Sequence, residues 1–200
     1  MVAHVVEQLT LGMPLASAYR LSGFIPGKNQ ELLYLLKHLQ EDIVDKGVYL
    51  WGDLGVGKTH LLQASCHDHI TQGLTAIYVT PSAKPSCLED VAHVALVAID
   101  GVDGMLCDAC WERALYHLYN QLTPRHSLIV SSRKPLSEHD FLLPDLRSRL
   151  ASLGAYHVIS LEDDAKRFNG VRTPIHRATA NKCNINARSR SVVSRPETCP

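Results

Sequence analysis

The sequence predicts an α/β domain: a five-stranded parallel sheet flanked by helices. Three observations carry that prediction. Short apolar runs alternate with segments of helical periodicity between residues 29 and 161. A glycine-rich loop links the first of these runs to the first helix that follows it. The chain has 200 residues, 46% of them hydrophobic and 20% charged, which suits one soluble domain with a small appendage.

Residues 1–27 read as extended or irregular, punctuated by Gly12, Pro14, Gly23, Pro26 and Gly27. From Asn29 to about Lys46, the residues Leu32, Leu33, Leu35, Leu36, Leu39 and Ile43 follow helical spacing. Asn29 suits the N-cap and Gly47 the stop. "VYLWG" reads as a buried strand, "THLLQASCHDHITQ" as a helix and "TAIYVT" as a second strand. A short helix is expected around Leu88 to His93, then a third strand, "VALVAID". "ACWERALYHLYNQLT" puts Ala114, Leu115, Leu118 and Leu122 on one helix face. "SLIVSS", "LPDLRSRLA" and "AYHVISL" complete the series as strand, short helix and strand. Such alternation implies a parallel sheet covered on both faces.

The formal charge of zero conceals two kinds of sequence. Residues 1–164 carry 12 Lys+Arg against 19 Asp+Glu, and residues 165–200 carry 8 against one. All 28 Leu precede residue 162. The expected organisation is an extended segment over 1–14, a nucleotide-binding domain over 15–164 and an irregular, disordered basic tail over 165–200.

No apolar run approaches the ~18 residues that a membrane helix needs. "MVAHVVEQLT" lacks a basic stretch followed by an apolar core, so no secretory signal is expected. The six Cys are scattered, which argues against a disulfide framework. A cytoplasmic protein with no membrane association is the expectation.

The loop "WGDLGVGKTH" contains Gly52-x-x-x-x-Gly57-Lys58-Thr59, a full match to the P-loop pattern. Glycines let backbone N–H groups wrap a phosphate, and the following helix adds the positive end of its dipole. Gly52, Asp53, Leu54, Gly55, Val56, Gly57, Lys58, Thr59 and His60 are the expected nucleotide contacts. Lys58 should reach the β- and γ-phosphates, and the Thr59 hydroxyl should hold Mg²⁺. Asp100 ends a strand roughly 40 residues on, where the second magnesium-side oxygen belongs.

The next residue is Gly101, which has no side chain to orient an attacking water. General-base help typically supplies ~10²–10⁴ in rate. Asp103 is two residues further and is expected to point elsewhere. Tight nucleotide binding with weak or no intrinsic hydrolysis is therefore predicted.

Ser131, Ser132 and Arg133 stand at the exit of the fourth strand, where a polar group can sense the γ-phosphate or simply face solvent. Arg147 and Arg149 lie two apart on a short helix, so they cannot share a face. One of them can project outward to a nucleotide held by a neighbour. "CDAC" (Cys107 to Cys110) has no partner pair for a four-ligand zinc site. His67 and His69 read as surface residues.

"FIPGKN", "LWGDLGVGKTHLLQA", "LVAID", "WERALYHLYNQL", "LIVSS" and "LPDLRSRL" resemble, in order and spacing, the DnaA family of AAA+ proteins. The resemblance covers about residues 5–166 and is strongest to the small Hda-type members, which inactivate the replication initiator. On this resemblance, no counterpart of the initiator's long N-terminal region or of its helix-turn-helix domain is expected. The resemblance implies ADP or ATP with Mg²⁺ at Gly52 to Thr59 and Asp100. Gly101 departs from the initiator's second acid, as Hda-type members often do. Arg149 matches the arginine finger that acts in trans on DnaA. Gln8-Leu9-Thr10-Leu11 resembles the peptide that docks on the DNA polymerase sliding clamp. A short extended peptide with Gln and two alternate Leu can anchor in an apolar cleft through side chains and backbone.

The implied function is negative regulation of chromosomal replication initiation: the clamp-bound protein promotes hydrolysis of DnaA-bound ATP. DNA is then contacted indirectly, through the clamp, and homo-oligomerisation stays open. The alternative is a DnaA-like initiator or helicase-loader ATPase acting directly on DNA. Family members continue past "LEDDAK" into a Leu-rich helical lid, whereas this chain turns basic and Leu-free. Either the tail is an out-of-frame product or it is a basic arm for nucleic acid. Translating the DNA in its other two frames separates these.

Overall fold

A computed structural model describes residues 19–39, 47–89, 91–123 and 126–160. The expectations for Gln8 to Leu11, for residues 40–46 and for the tail over 165–200 lie outside the described residues.

Among the described residues, nine α-helices and strands follow in chain order. They are α1 (Gln30–Lys37), β1 (Gly47–Trp51), α2 (Lys58–Thr71), β2 (Ala76–Val79) and β3 (Leu96–Ile99). Then come α3 (Ala109–Gln121), β4 (Ser127–Ser132), α4 (Pro144–Ala151) and β5 (Gly154–His157). The strands form one parallel sheet in the order β2-β3-β4-β1-β5.

Every residue of β3 and β4 is buried, because helices cover both faces of the sheet. Alternate strand residues feed two separate cores, as the period of two requires. Tyr49, Val97, Ile99, Leu128 and Val130 pack with Trp111, Leu115 and Leu118 of α3 and Leu146 and Leu150 of α4. Val48, Leu50, Leu96, Ala98 and Ile129 pack with the leucines of α1 and with Leu61, Leu62 and Ala64 of α2.

Three local readings need correction. The helix expected to run from Asn29 to about Lys46 ends at Lys37 with His38 as C-cap, and Gly47 opens β1 rather than stopping a helix. Asn29 is the N-cap of α1 as expected, its carbonyl accepting from the Leu33 N–H at 3.0 Å, but its side chain makes no cap hydrogen bond. Its Nδ2 donates to the Ile159 carbonyl at 2.9 Å, and its Oδ1 accepts from the Ile159 N–H at 2.9 Å. The residue thereby ties the start of α1 to the chain leaving β5. The helix expected around Leu88 to His93 is two 3₁₀ turns, Pro85–Leu88 and Val91–His93. Glu89, extended at φ −74° and ψ 146°, ends the first of them.

Among the described residues, no helix is long and apolar enough to cross a membrane.

Candidate functional site

The site grows out of the strand register. Ile99 pairs with Val130, and Trp51 with Ser132, so the residues leaving β1, β3 and β4 converge at the carboxyl ends of adjacent strands. Open α/β sheets bind ligands at this kind of edge. A cavity of about 440 Å³ opens there. Its walls include Leu54, Gly55, Gly57, Lys58 and Thr59 from the glycine-rich loop and α2, and Asp100 from the end of β3. Asp103, Ser132 and Arg133 line it as well.

The loop spans residues 52–57, and Gly57 caps α2 in a left-handed conformation, φ 102°. A Cβ at Gly57 would lie 2.8 Å from the Phe24 ring, so the position excludes side chains on two counts. Leu54 sits at the loop tip, 91% exposed. Lys58 Nζ donates to the carbonyls of Gly52 at 2.7 Å and Asp53 at 2.8 Å. Partial burial holds the Lys58 ammonium below its ordinary range, while Asp100, Asp103 and Asp53 push it back up.

Asp100 is the polar hub. Thr59 Oγ1 and Tyr78 OH both donate to its Oδ2 at 2.7 Å, and Ser131 Oγ donates to its Oδ1 at 2.5 Å. The Gly101 N–H in turn donates to Ser131 Oγ at 2.9 Å. Burial and the neighbouring Asp100 charge raise the Tyr78 phenol, which keeps it a donor. The Thr59 hydroxyl and the Asp100 carboxylate are hard oxygens side by side, the donor chemistry that suits Mg²⁺ held mainly by phosphate and water. Among the described residues, no cluster of three or more His, Cys, Asp or Glu side chains forms a metal cage.

Gly101 has a left-handed backbone, φ 67° and ψ 50°. A Cβ there would approach Pro81 Cγ at 3.1 Å. The position lacks the second acid, and its backbone disfavours one.

Asp103 lines the same cavity, but its carboxylate turns to the exit of β4. Its Oδ1 accepts from Ser132 Oγ at 2.9 Å, and the Arg133 N–H donates to both oxygens at 3.1 and 3.0 Å. Arg133 Nε lies 3.6 Å and His139 Nε2 3.5 Å from the carboxylate. Of the three polar residues leaving β4, Ser131 therefore holds Asp100, Ser132 holds Asp103, and Arg133 keeps its side chain 69% exposed at the cavity.

His60 does not line the cavity. Its ring meets those of Tyr19 and Phe24 edge-on at 5.0 and 5.6 Å, and Nε2 lies 3.2 Å from the Arg20 carbonyl. Gly52 and Asp53 meet the site through their carbonyls, which accept from Lys58 Nζ, and Val56 packs against the core on the side of α1 and α2.

Arg149 lies in the last turn of α4, exposed, and lines a different cleft of about 410 Å³. Its Cζ stands 5.6 Å from the centre of the Tyr119 ring. It forms no part of the cavity beside the glycine-rich loop. Arg147 is exposed as well.

Three polar groups here escaped sequence reasoning. Tyr78 holds Asp100 from β2. Glu112, 1% exposed on α3, accepts from the N–H groups of Cys107 at 2.8 Å, Leu142 at 3.1 Å and Leu143 at 2.7 Å. It thus joins the loop beyond β3 to the start of α4. His69, read as a surface residue, is 4% exposed, with Nδ1 2.9 Å from the Ser65 carbonyl and Nε2 without a partner. The "CDAC" stretch is a helix start, with Asp108 Oδ1 accepting from the N–H groups of Cys110 and Trp111, and Cys107 is a free thiol.

A five-stranded parallel sheet with a glycine-rich loop after β1 and an aspartate after β3 is a P-loop arrangement, and the sheet matches the fold of AAA+ domains. No family model matches the sequence. The chain is similar to the crystal structure of a DNA replication initiation factor, at 21% identity over 76% of this chain and 52% of that one, with a TM-score of 0.67. It is also similar to replication initiator DnaA bound to AMPPCP and single-stranded DNA, at 22% identity over 78% of this chain and 56% of that one, TM-score 0.67. Domain III of DnaA from Thermotoga maritima matches at 18% identity over 78% of this chain and 72% of that domain, TM-score 0.65. These likenesses carry the fold. The chain spans little more than half the length of the first two.

Proposed function

We propose that this protein is a nucleotide-binding negative regulator of replication initiation, of the Hda type, which stimulates hydrolysis of ATP held by DnaA. In this reading ADP or ATP sits in the cavity. The loop N–H groups and Lys58 take its phosphates, and Thr59 and Asp100 hold its Mg²⁺. The glycine-rich loop, the hard-oxygen pair and the AMPPCP bound by one structural neighbour support that assignment.

The observation that carries the reading is a separation of parts. Gly101 leaves the chain's own cavity without a second acid, and the exposed Arg149 faces outward from a different cleft. An exposed guanidinium on a firm helix can stabilise charge on a neighbour's nucleotide. Gln8 to Leu11 supply the clamp contact that brings the two proteins together on DNA, in the cytoplasm.

The test is conversion of ATP–DnaA to ADP–DnaA on clamp-loaded DNA. The chain should accelerate it, and Gln8→Ala or omission of the clamp should abolish the acceleration. Turnover by the purified chain alone, or unwinding of DNA by it, would favour a loader or initiator acting directly on DNA.

A further inference from the structure

We infer that Tyr119 is the positioning residue of Arg149: its ring is the platform that keeps the guanidinium extended and unpaired for a neighbour. The inference rests on the trans role of Arg149 proposed above.

Tyr119 is 4% exposed on the inner face of α3, so its ring is fixed by the core. The Arg149 guanidinium lies over that ring at 5.6 Å, within the range of a cation–π contact. The hydroxyl of the same tyrosine is 2.5 Å from Ser152 Oγ. Ser152 Oγ donates its one proton to the Arg149 carbonyl at 2.7 Å, so the tyrosine is the donor in the first bond. One buried residue therefore references both the backbone and the cationic end of Arg149.

The alternative resting place for the cation is close. Asp145 precedes Arg149 by four residues on the same helix face, a spacing that brings an acid and a base within reach of an ion pair. Both line the same cleft, yet no ion pair within 4.0 Å joins them among those of the described residues. A ring contact competes for none of the guanidinium N–H hydrogen bonds in its plane, whereas a carboxylate would occupy two of them. A finger already collapsed on Asp145 would have to break that pair before serving a partner.

The experiment uses the full chain, ATP–DnaA and clamp-loaded DNA, with stimulation measured against chain concentration. Tyr119→Leu should lower the maximal stimulated rate about tenfold, since misplacing a catalytic group costs rate. The half-saturating concentration should stay unchanged. Tyr119→Phe, which keeps the ring, should stay within about threefold of the unmodified chain, because a cation–π contact survives it. A Leu variant at the full rate, or a Phe variant as impaired as Leu, overturns the inference. If Tyr119→Leu does not fold, NMR of the unmodified chain decides. The Arg149 side-chain protons should be shifted upfield by the ring and move little in Tyr119→Phe; unshifted signals overturn the inference. Full stimulation by Arg149→Ala would instead refute the trans reading, and the NMR result, obtained without partner, would stand apart from it.

Discussion

The Thr59 hydroxyl donates a 2.7 Å hydrogen bond to Asp100 Oδ2, joining the first turn of α2 to the end of β3 across 41 residues of chain. Tyr78 and Ser131 donate to the same carboxylate, so three hydroxyls from three elements share one acceptor. Removing it leaves them unmatched in a partly buried place, at about 1–3 kcal/mol. Asp100→Ala is therefore expected to destabilise the fold by roughly that amount and to weaken Mg²⁺-dependent nucleotide binding. Chemical denaturation and nucleotide titration with and without Mg²⁺ measure the two effects, and an unchanged midpoint would refute the hub.

Gly101 poses the opposite experiment, adding an acid where the sequence lacks one. Its φ of 67° is unfavourable for any side chain, by about 1–2 kcal/mol. A Cβ also crowds Pro81. Gly101→Glu is expected to lower stability by about that amount and to leave intrinsic ATP turnover unchanged. A stable variant with brisk turnover would mean that the missing acid was the sole obstacle to hydrolysis.

His69 predicts a pH dependence. Nδ1 faces the Ser65 carbonyl and so carries the proton of the neutral ring, leaving Nε2 bare and buried. Protonating Nε2 would bury an unpaired N–H and a charge, and burial holds the imidazole below its ordinary value of 6.5. Unfolded chains take up this proton near pH 6.5 while folded ones wait for a lower pH. Stability should fall as pH drops below about 6.5, until the depressed folded value is reached. His69→Leu should flatten that part of the profile. Thermal unfolding between pH 7.5 and 5 is the measurement, and an equally steep loss in the variant would exclude His69 as its cause.

Much of this was legible in the sequence because apolar periodicity and glycine spacing record backbone constraints. The five strands, the loop from Gly52 to Thr59 and the place of Asp100 all follow from such local signals. What was illegible depends on register and packing. Asn29 is the N-cap the spacing predicts, yet its side-chain amide serves Ile159, 130 residues away, rather than the helix. Glu112 left a trace, since it falls on the apolar stripe of Trp111, Leu115 and Leu118; an acid there implies backbone partners, but not which ones. His69 and Tyr78 left weaker traces: a polar tip on a helix or strand is equally compatible with solvent. Asp103 was expected to point away; it does turn to β4, but it still borders the cavity through the strand register.

The central claim is that Arg149 acts on a nucleotide this chain does not hold. Single-turnover hydrolysis of radiolabelled ATP carried by DnaA alone, on clamp-loaded DNA, tests it most directly. The unmodified chain should accelerate loss of label, and Arg149→Ala should remove that acceleration by about a thousandfold, the lower end of what an arginine finger supplies. Equal rates for the two chains would contradict the account.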